Sequence, residues 1–172
     1  MSFEIRPATK DDAETLDQLV NSAYRGDSSR QGWTTEADLL DGTRTDAVAI
    51  RDLIGKPGTT LLKYVDAGQL LGCVELRAEN RKLYLGMLTV RPHLQGKGIG
   101  KELLKAAEAE ARKQNCHTIF MTVISVRKEL IDWYVRHGYR PTGETKPFAF
   151  TDPRFGQPKM KLEFIVLEKK LA

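Results

Sequence analysis

The first third of the chain has apolar positions that predict one strand followed by helices. Residues Phe3–Pro7 alternate between apolar and polar with a period of two, as in a short strand. From Asp11 to Tyr24 the apolar residues recur with the 3.6-residue period of a helix. Two shorter helices are predicted over Thr34–Leu40 and Asp46–Ile54, because each begins at a capping residue and ends at a glycine.

The middle of the chain reads as three strands and a long helix. Thr59–Val65 and Leu70–Arg77 flank an Asp-Ala-Gly turn and predict a hairpin. Leu83–Val90 is apolar nearly throughout, which is typical of a central strand covered on both faces. Gly98–Lys113 has one apolar and one charged face, and it is the strongest helical pattern in the sequence.

The last third predicts a strand, a helix and two more strands. The strand is Thr118–Ile124, the helix is Leu130–Arg136, and the final strands lie near Tyr139–Glu144 and Met160–Leu167. This order predicts one domain over residues 1–172, of the α/β (α+β) class. Its mixed sheet would carry helices on both faces.

Composition narrows the class of protein further. The chain has 172 residues, of which 41% are hydrophobic and 29% are charged, the balance of an ordinary globular domain. No apolar run reaches the ~18 residues of a membrane span, and the N-terminus lacks the apolar core of a signal peptide. We therefore expect a cytoplasmic protein. The net charge of +4 without a basic stripe argues against nucleic acid or a membrane as partner.

The number and spacing of the cysteines and histidines argue against a metal-binding site. Cys73 and Cys116 form neither a disulfide framework nor a CxxC pair, and the three histidines are scattered along the chain. No metal site is expected, because nothing completes a ligand set at a known spacing.

A glycine-rich junction is the clearest candidate ligand site. Gly96, Gly98 and Gly100 alternate where the central strand meets the long helix. Glycines allow close backbone approach, and the unpaired N–H groups of a helix start attract phosphate. Lys97 and Lys101 add positive charge there. Neither the Rossmann nor the P-loop spacing is met, so a plain flexible turn stays the alternative.

Three stretches together resemble one family. QGKGIG, residues 95–100, resembles the Q/R-x-x-G-x-G/A signature of the GNAT superfamily of N-acetyltransferases. IRPATKDD near the start and LIDWYVRHGY, residues 130–139, are similar to the first and late elements of that family. The resemblance implies the GNAT fold, with a mostly antiparallel sheet of about seven strands, and acetyl-CoA as cosubstrate.

The resemblance also implies cofactor contacts. The pantetheine arm would pair with the end of the central strand, and Ser125 would hydrogen-bond the cofactor. The pyrophosphate would lie on the loop amides. The residues implied are Leu88, Thr89, Val90, Gln95, Gly96, Lys97, Gly98, Ile99, Gly100, Lys101 and Ser125.

Tyr134 is the residue that the resemblance assigns as general acid. An amine of pKa ~10.4 is neutral in about one part in ~2500 at pH 7, a handicap of ~4.6 kcal/mol. The leaving thiolate also needs a proton, and a phenol of pKa ~10 can supply it. The alternative is that Tyr134 only packs beside Trp133, as we expect of Tyr139 in the core.

Two departures from the family pattern leave the identity of the general base and the role of Arg127 open. Tyr84 stands where some relatives carry a glutamate base, so Glu75 or Glu36 would act through water, unless both are surface carboxylates. Arg127 stands where many relatives have asparagine. It would clamp a phosphate of the cofactor or a substrate carboxylate, or else lie on the surface.

The acceptor is the least constrained part of the prediction. In this fold, residues 24–46 and 146–158 would shape its site, and Trp33 and Phe148 are exposed-aromatic candidates within them. We expect a primary amine of a small molecule, with polyamine, amino acid and peptide N-terminus left open. A protein acetyltransferase and a non-catalytic acyl-CoA-binding module are the alternatives. A homodimer also stays open.

Overall fold

A seven-stranded mixed sheet forms the centre of the protein. The computed structural model describes residues 3–25, 35–37, 40–41, 44–147, 157–158 and 162–171. The sheet strands are β1 Phe3–Pro7, β3 Thr59–Asp66, β4 Gln69–Glu79, β5 Lys82–Val90, β6 Thr118–Ile124, β7 Arg140–Pro147 and β9 Glu163–Lys170. Two short segments, β2 Leu40–Asp41 and β8 Gln157–Pro158, pair with each other.

Within the described residues, four α-helices connect these strands. They are α1 Ala13–Tyr24, α2 Ala47–Ile54, α3 Ile99–Lys113 and α4 Lys128–Arg136, with single 3₁₀ turns at Lys10–Asp12 and Pro92–Leu94. The α2 helix begins where the Ala49 N–H donates to Asp46 Oδ1 at 2.8 Å, the side-chain cap expected of aspartate. The α3 helix begins instead at Gly98, which has a left-handed backbone.

The strand order places one parallel pair at the middle of the sheet. The order is β1-β3-β4-β5-β6-β9-β7, and β5 pairs with β6 in parallel while the other neighbours are antiparallel. The predicted central strand is therefore confirmed as central. The parallel pairing covers only Lys82–Tyr84 and Thr118–Phe120, so the two strands separate beyond it. This gap opens a cleft between the ends of β5 and β6.

A β-bulge in β5 lies at the mouth of this cleft. Cys73 faces Thr89 and Glu75 faces Gly86, so two residues of β5 stand opposite one residue of β4. Met87 there has a φ of 51°, which is unusual for a residue with a side chain. The extra residue re-aims the strand end, as bulges do beside active sites.

The sheet buries one apolar layer on each face. The α3 and α4 side contains Leu83, Leu85 and Leu88 of β5, whereas Met87 packs on the α1 and α2 side. Simple alternation would place Met87 with Leu83 and Leu85, so the bulge changes which face the later residues cover. Helices on both faces are confirmed. Within the described ranges, no helix has the length and apolarity to cross a membrane.

The predicted helix Thr34–Leu40 is wrong in its described part. Residues 35–37 are not helical, and Leu40 belongs to β2. The Glu36 N–H donates to the Tyr24 carbonyl at 2.7 Å, which draws the chain back onto the end of α1. Long-range contacts here outweigh the local helical propensity.

Candidate active site

Two cavities meet at the cleft between β5 and β6. The loop cavity, about 210 Å³, lies beside the glycine loop and is bordered by Val90, Gly98 and Trp133. The large cavity, about 540 Å³, extends from the cleft towards α2. Four of the described residues line both: Tyr24, Leu88, Leu130 and Tyr134. A ligand that fills one cavity can therefore meet a ligand in the other at these side chains.

The glycine loop is built to let a ligand approach the backbone. Gly96 and Gly98 have φ values of 84° and 91°, and a Cβ added to either would meet no atom within 4 Å. Gly100 differs, because its Cβ would lie 3.1 Å from the Trp133 ring. The first two glycines thus leave open space at the start of α3, where N–H groups favour phosphate. Gln95, Ile99 and Lys101 also line the loop cavity.

Tyr134 lies where the cavities join. It is 5% exposed, and its ring packs edge-to-face on Trp133 and Tyr139, with centroids 5.1 and 5.7 Å away. Burial raises the pKa of the Tyr134 hydroxyl well above its ordinary value, so the phenol keeps its proton at neutral pH. The side chain is therefore both a packing aromatic and an available proton donor at the junction.

Tyr24 is a second tyrosine at the junction, and the sequence predicted for it only a place on the apolar face of α1 and at the start of residues 24–46, with no individual role. Its hydroxyl donates to the Leu88 carbonyl, next to the bulge at Met87. Burial raises its pKa to about 12. The signal in the sequence is a tyrosine at the last position of the apolar face of α1, which is also the first residue of the segment expected to shape the acceptor site.

A buried ion network joins the end of α1 and Glu36 to the start of α4. Glu36 Oε1 accepts from Arg25 Nε at 3.0 Å, and its Oε2 accepts from an Arg127 guanidinium nitrogen at 3.3 Å. All three residues are less than 10% exposed and line the large cavity. The surface alternative for Arg127 is therefore wrong. The structure places Arg127 beside the large cavity rather than at the glycine loop.

Tyr84 lies at the sheet floor of the large cavity, and Glu75 lies on the neighbouring strand β4. Tyr84 lines the cavity, and its ring covers Gly86, where an added Cβ would meet it at 2.7 Å. Glu75 stands opposite Gly86 in the register and is buried. Burial raises the pKa of the Glu75 carboxyl, and Arg77 at 3.5 Å lowers it only in part. Glu75 is thus a buried carboxylate and not a surface one.

Several other predicted residues lie apart from both cavities or outside the described residues. Thr89 is buried and its hydroxyl donates to the Met87 carbonyl at 2.9 Å, Lys97 is exposed on the loop, and Ser125 follows β6. None of the three lines either cavity as described. Trp33 and Phe148 lie outside the described residues. Among the residues that are described, no three His, Cys, Asp or Glu side chains cluster as metal ligands.

Comparison with known proteins agrees with this geometry. Residues 30–152 match the family model described as an acetyltransferase (GNAT) domain, which is well over half of the chain. The chain therefore belongs to the GNAT family of acetyltransferases, and it is an acetyl-CoA-dependent acyltransferase.

Individual relatives extend the comparison. An aminoalkylphosphonate N-acetyltransferase of Salmonella typhimurium is 24% identical over 145 residues, which is 80% of this chain and 84% of that protein. The PaiA N-acetyltransferase of Thermoplasma acidophilum, solved with coenzyme A, superposes with a TM-score of 0.69 at 22% identity, covering 99% of both chains. YncA of Salmonella typhimurium, solved with acetyl-CoA, gives a TM-score of 0.71 at 20% identity, covering all of this chain and 95% of that one.

Proposed function

We propose that this enzyme transfers an acetyl group from acetyl-CoA to the primary amine of a small molecule by direct attack. The observation that carries the proposal is the meeting of the two cavities at Tyr24, Leu88 and Tyr134. The loop cavity suits the cofactor, because Gly96 and Gly98 leave their backbone open at a helix start. The large cavity is then the acceptor site. The name of the aminoalkylphosphonate relative supports a small-molecule acceptor.

Tyr134 is the general acid in this proposal. Acetyl-CoA supplies the acetyl group as a thioester. When the amine nitrogen bonds to the carbonyl carbon and the carbon–sulfur bond breaks, Tyr134 gives its proton to the leaving sulfur. Its raised pKa keeps it protonated until that moment. Tyr24, whose hydroxyl already donates to the Leu88 carbonyl, holds the strand end in place.

Glu75 is the better of the two candidate bases. Both Glu36 oxygens already accept hydrogen bonds from guanidinium groups, so this carboxylate is engaged in the buried ion network. Glu75 is buried, and burial raises its pKa towards neutral pH, which makes it a stronger base than an exposed glutamate. Since Glu75 does not line the cavity, the amine proton would reach it through water beside Tyr84 and Gly86.

Acetylation of a panel of amines tests the function. The panel holds amino acids, aminophosphonates, alkylamines, polyamines and peptides, with mass spectrometry of the products. We expect acetylated small amines. Acetylation confined to peptides would favour a protein acetyltransferase, and binding of acetyl-CoA without any product would favour the non-catalytic module.

Two matched tyrosine variants test the mechanism. Tyr134→Phe removes one oxygen at the cavity junction, so kcat should fall about 10²–10⁴-fold while acetyl-CoA affinity changes little. Tyr139→Phe is the control: Tyr139 is fully buried, contacts the Tyr134 ring, and its hydroxyl has no partner among the described residues. It should keep wild-type kcat. Normal kcat in Tyr134→Phe would return Tyr134 to a packing role.

A further inference from the structure

The large cavity carries an excess of positive charge. Its described lining has two more basic than acidic side chains: Arg25, Arg44, Lys56 and Arg127 against Glu36 and Asp52. A cationic acceptor such as a polyamine would meet repulsion in this cavity, whereas an anionic group would be attracted.

Arg44 differs from the other three basic residues. Arg25 and Arg127 share the Glu36 carboxylate. Lys56 pairs with no carboxylate among the described residues, but it is exposed to solvent just after α2, whereas Arg44 is half-buried. Arg44 forms no ion pair with any carboxylate in the described part of the chain. Its charge is therefore left for a ligand of the cavity.

The backbone around Arg44 is held in place. The Arg44 and Thr45 N–H groups both donate to Asn21 Oδ1, at 2.5 and 3.3 Å, and Asn21 Nδ2 donates back to the Thr45 carbonyl at 2.9 Å. Asp46 then caps α2. Arg44 thus enters the cavity from a segment fixed to α1, which is the kind of preorganisation a binding residue requires.

The Tyr24 side chain lies between Arg44 and the junction of the two cavities. Its guanidinium carbon lies 5.9 Å from the centre of the Tyr24 ring, while the Tyr24 hydroxyl bonds to the Leu88 carbonyl at the cavity junction. An acceptor with an anionic group at Arg44 would reach the junction by crossing the Tyr24 ring. A short aliphatic chain between the anionic group and the amine would span the distance from Arg44 to the junction.

We propose that the acceptor is a short amine bearing a carboxylate or phosphonate group, and that Arg44 binds this anion. The proposal rests on the proposed function and names the acceptor class of the same site. A guanidinium binds carboxylate and phosphonate oxygens alike, by paired charge-assisted hydrogen bonds. Arg44 therefore determines acceptor specificity, while the amine end lies towards Tyr134.

Kinetics with Arg44→Gln test the proposal against four amines: β-alanine, aminoethylphosphonate, propylamine and putrescine. The wild type should prefer the two anionic amines, and the better of the two identifies the anion. Arg44→Gln should raise KM for them about 10- to 100-fold, with a smaller change for propylamine and for acetyl-CoA. Arg51→Gln is the control, because Arg51 lies on α2, pairs with Glu14 and is not among the described residues that line the cavity.

A binding measurement separates this inference from the proposed function. Calorimetry of β-alanine and aminoethylphosphonate with the CoA-saturated enzyme should show binding that weakens in Arg44→Gln and with added salt. If no amine is acetylated but this pattern holds, the proposed function fails and the anion site stands. If propylamine or putrescine is the preferred substrate, or if Arg44→Gln matches Arg51→Gln, the anion site is overturned and acetyl transfer stands.

Discussion

At the scale of single residues, the surroundings of each buried carboxylate decide its chemistry. Glu36 has a guanidinium group on each oxygen, and Glu75 has one arginine at 3.5 Å together with the cost of burial. Because burial dominates at Glu75, its pKa is raised above the value in an unfolded chain. The folded protein therefore holds a proton on Glu75 more tightly than the unfolded chain does.

This shift predicts the pH dependence of a Glu75→Gln variant. A raised carboxyl pKa means that the contribution of Glu75 to stability is greatest below its unfolded pKa, ~4.3, and is lost as pH rises through the folded pKa. Glu75→Gln removes that loss, so its melting temperature should exceed the wild-type value at pH 8, and the gain should shrink towards pH 4. Thermal denaturation across this range measures it.

Glu79→Gln is the matched control for this measurement. Glu79 is an exposed carboxylate on the same strand and pairs with the same Arg77 at 3.4 Å. It should give no comparable pH-dependent gain. A Glu75→Gln protein that is less stable than wild type at pH 8 would contradict the burial argument.

At the scale of elements, the junction of β5 and α3 turns a strand end into a ligand loop. Gly98 has a φ of 91° and open space where a Cβ would stand. A Gly98→Val substitution therefore strains the backbone, at about 1–3 kcal/mol, and also fills the space proposed for the cofactor phosphates. We expect CoA binding to weaken by roughly 10-fold or more, measured by calorimetry.

Gly68→Val is the control that separates backbone strain from the loss of ligand space. Gly68 lies in the β3–β4 turn with a φ of 74° and equally open space, and it lines neither site cavity as described. Its replacement should cost similar stability and leave CoA binding intact. Equal CoA affinity in the two variants would remove the glycine loop from the cofactor site.

At the scale of the whole molecule, the Arg25–Glu36–Arg127 network ties the end of α1 to the start of α4. Glu36→Gln would leave two buried guanidinium groups without this carboxylate, and breaking a buried pair is costly. We expect a loss of ~3 kcal/mol, or about 6–12 °C in melting temperature. Glu4→Gln is the control, because the Glu4–Arg6 pair is exposed and should contribute under ~1 kcal/mol. Equal losses of melting temperature in the two variants would show that the buried network adds no more stability than an exposed ion pair.

Much of the fold could be predicted because its signals are local. Local patterns located the seven strands of the main sheet and the four described α-helices, and Thr118–Ile124 matches the observed strand residue for residue. The glycine loop and Tyr134 were also accessible, since each belongs to a short continuous motif. A pattern of this kind depends on neighbours within a turn or two, and those neighbours are present in the sequence.

The acceptor side depends on contacts between residues far apart in the chain. Arg127 meets Glu36 across 91 positions of the chain. The Met87 bulge exists because β5 has one residue more than β4 between two paired positions. Arg44 turns towards the cavity because Asn21, 23 positions earlier, holds its backbone. Such contacts have no local periodicity, so composition could predict a mildly basic protein but not where its unpaired charge lies. Packing alone brings Arg44, Tyr24 and Tyr134 to one cavity, and it does so because burial of the two apolar layers aligns α1, β5 and α4 over the cleft.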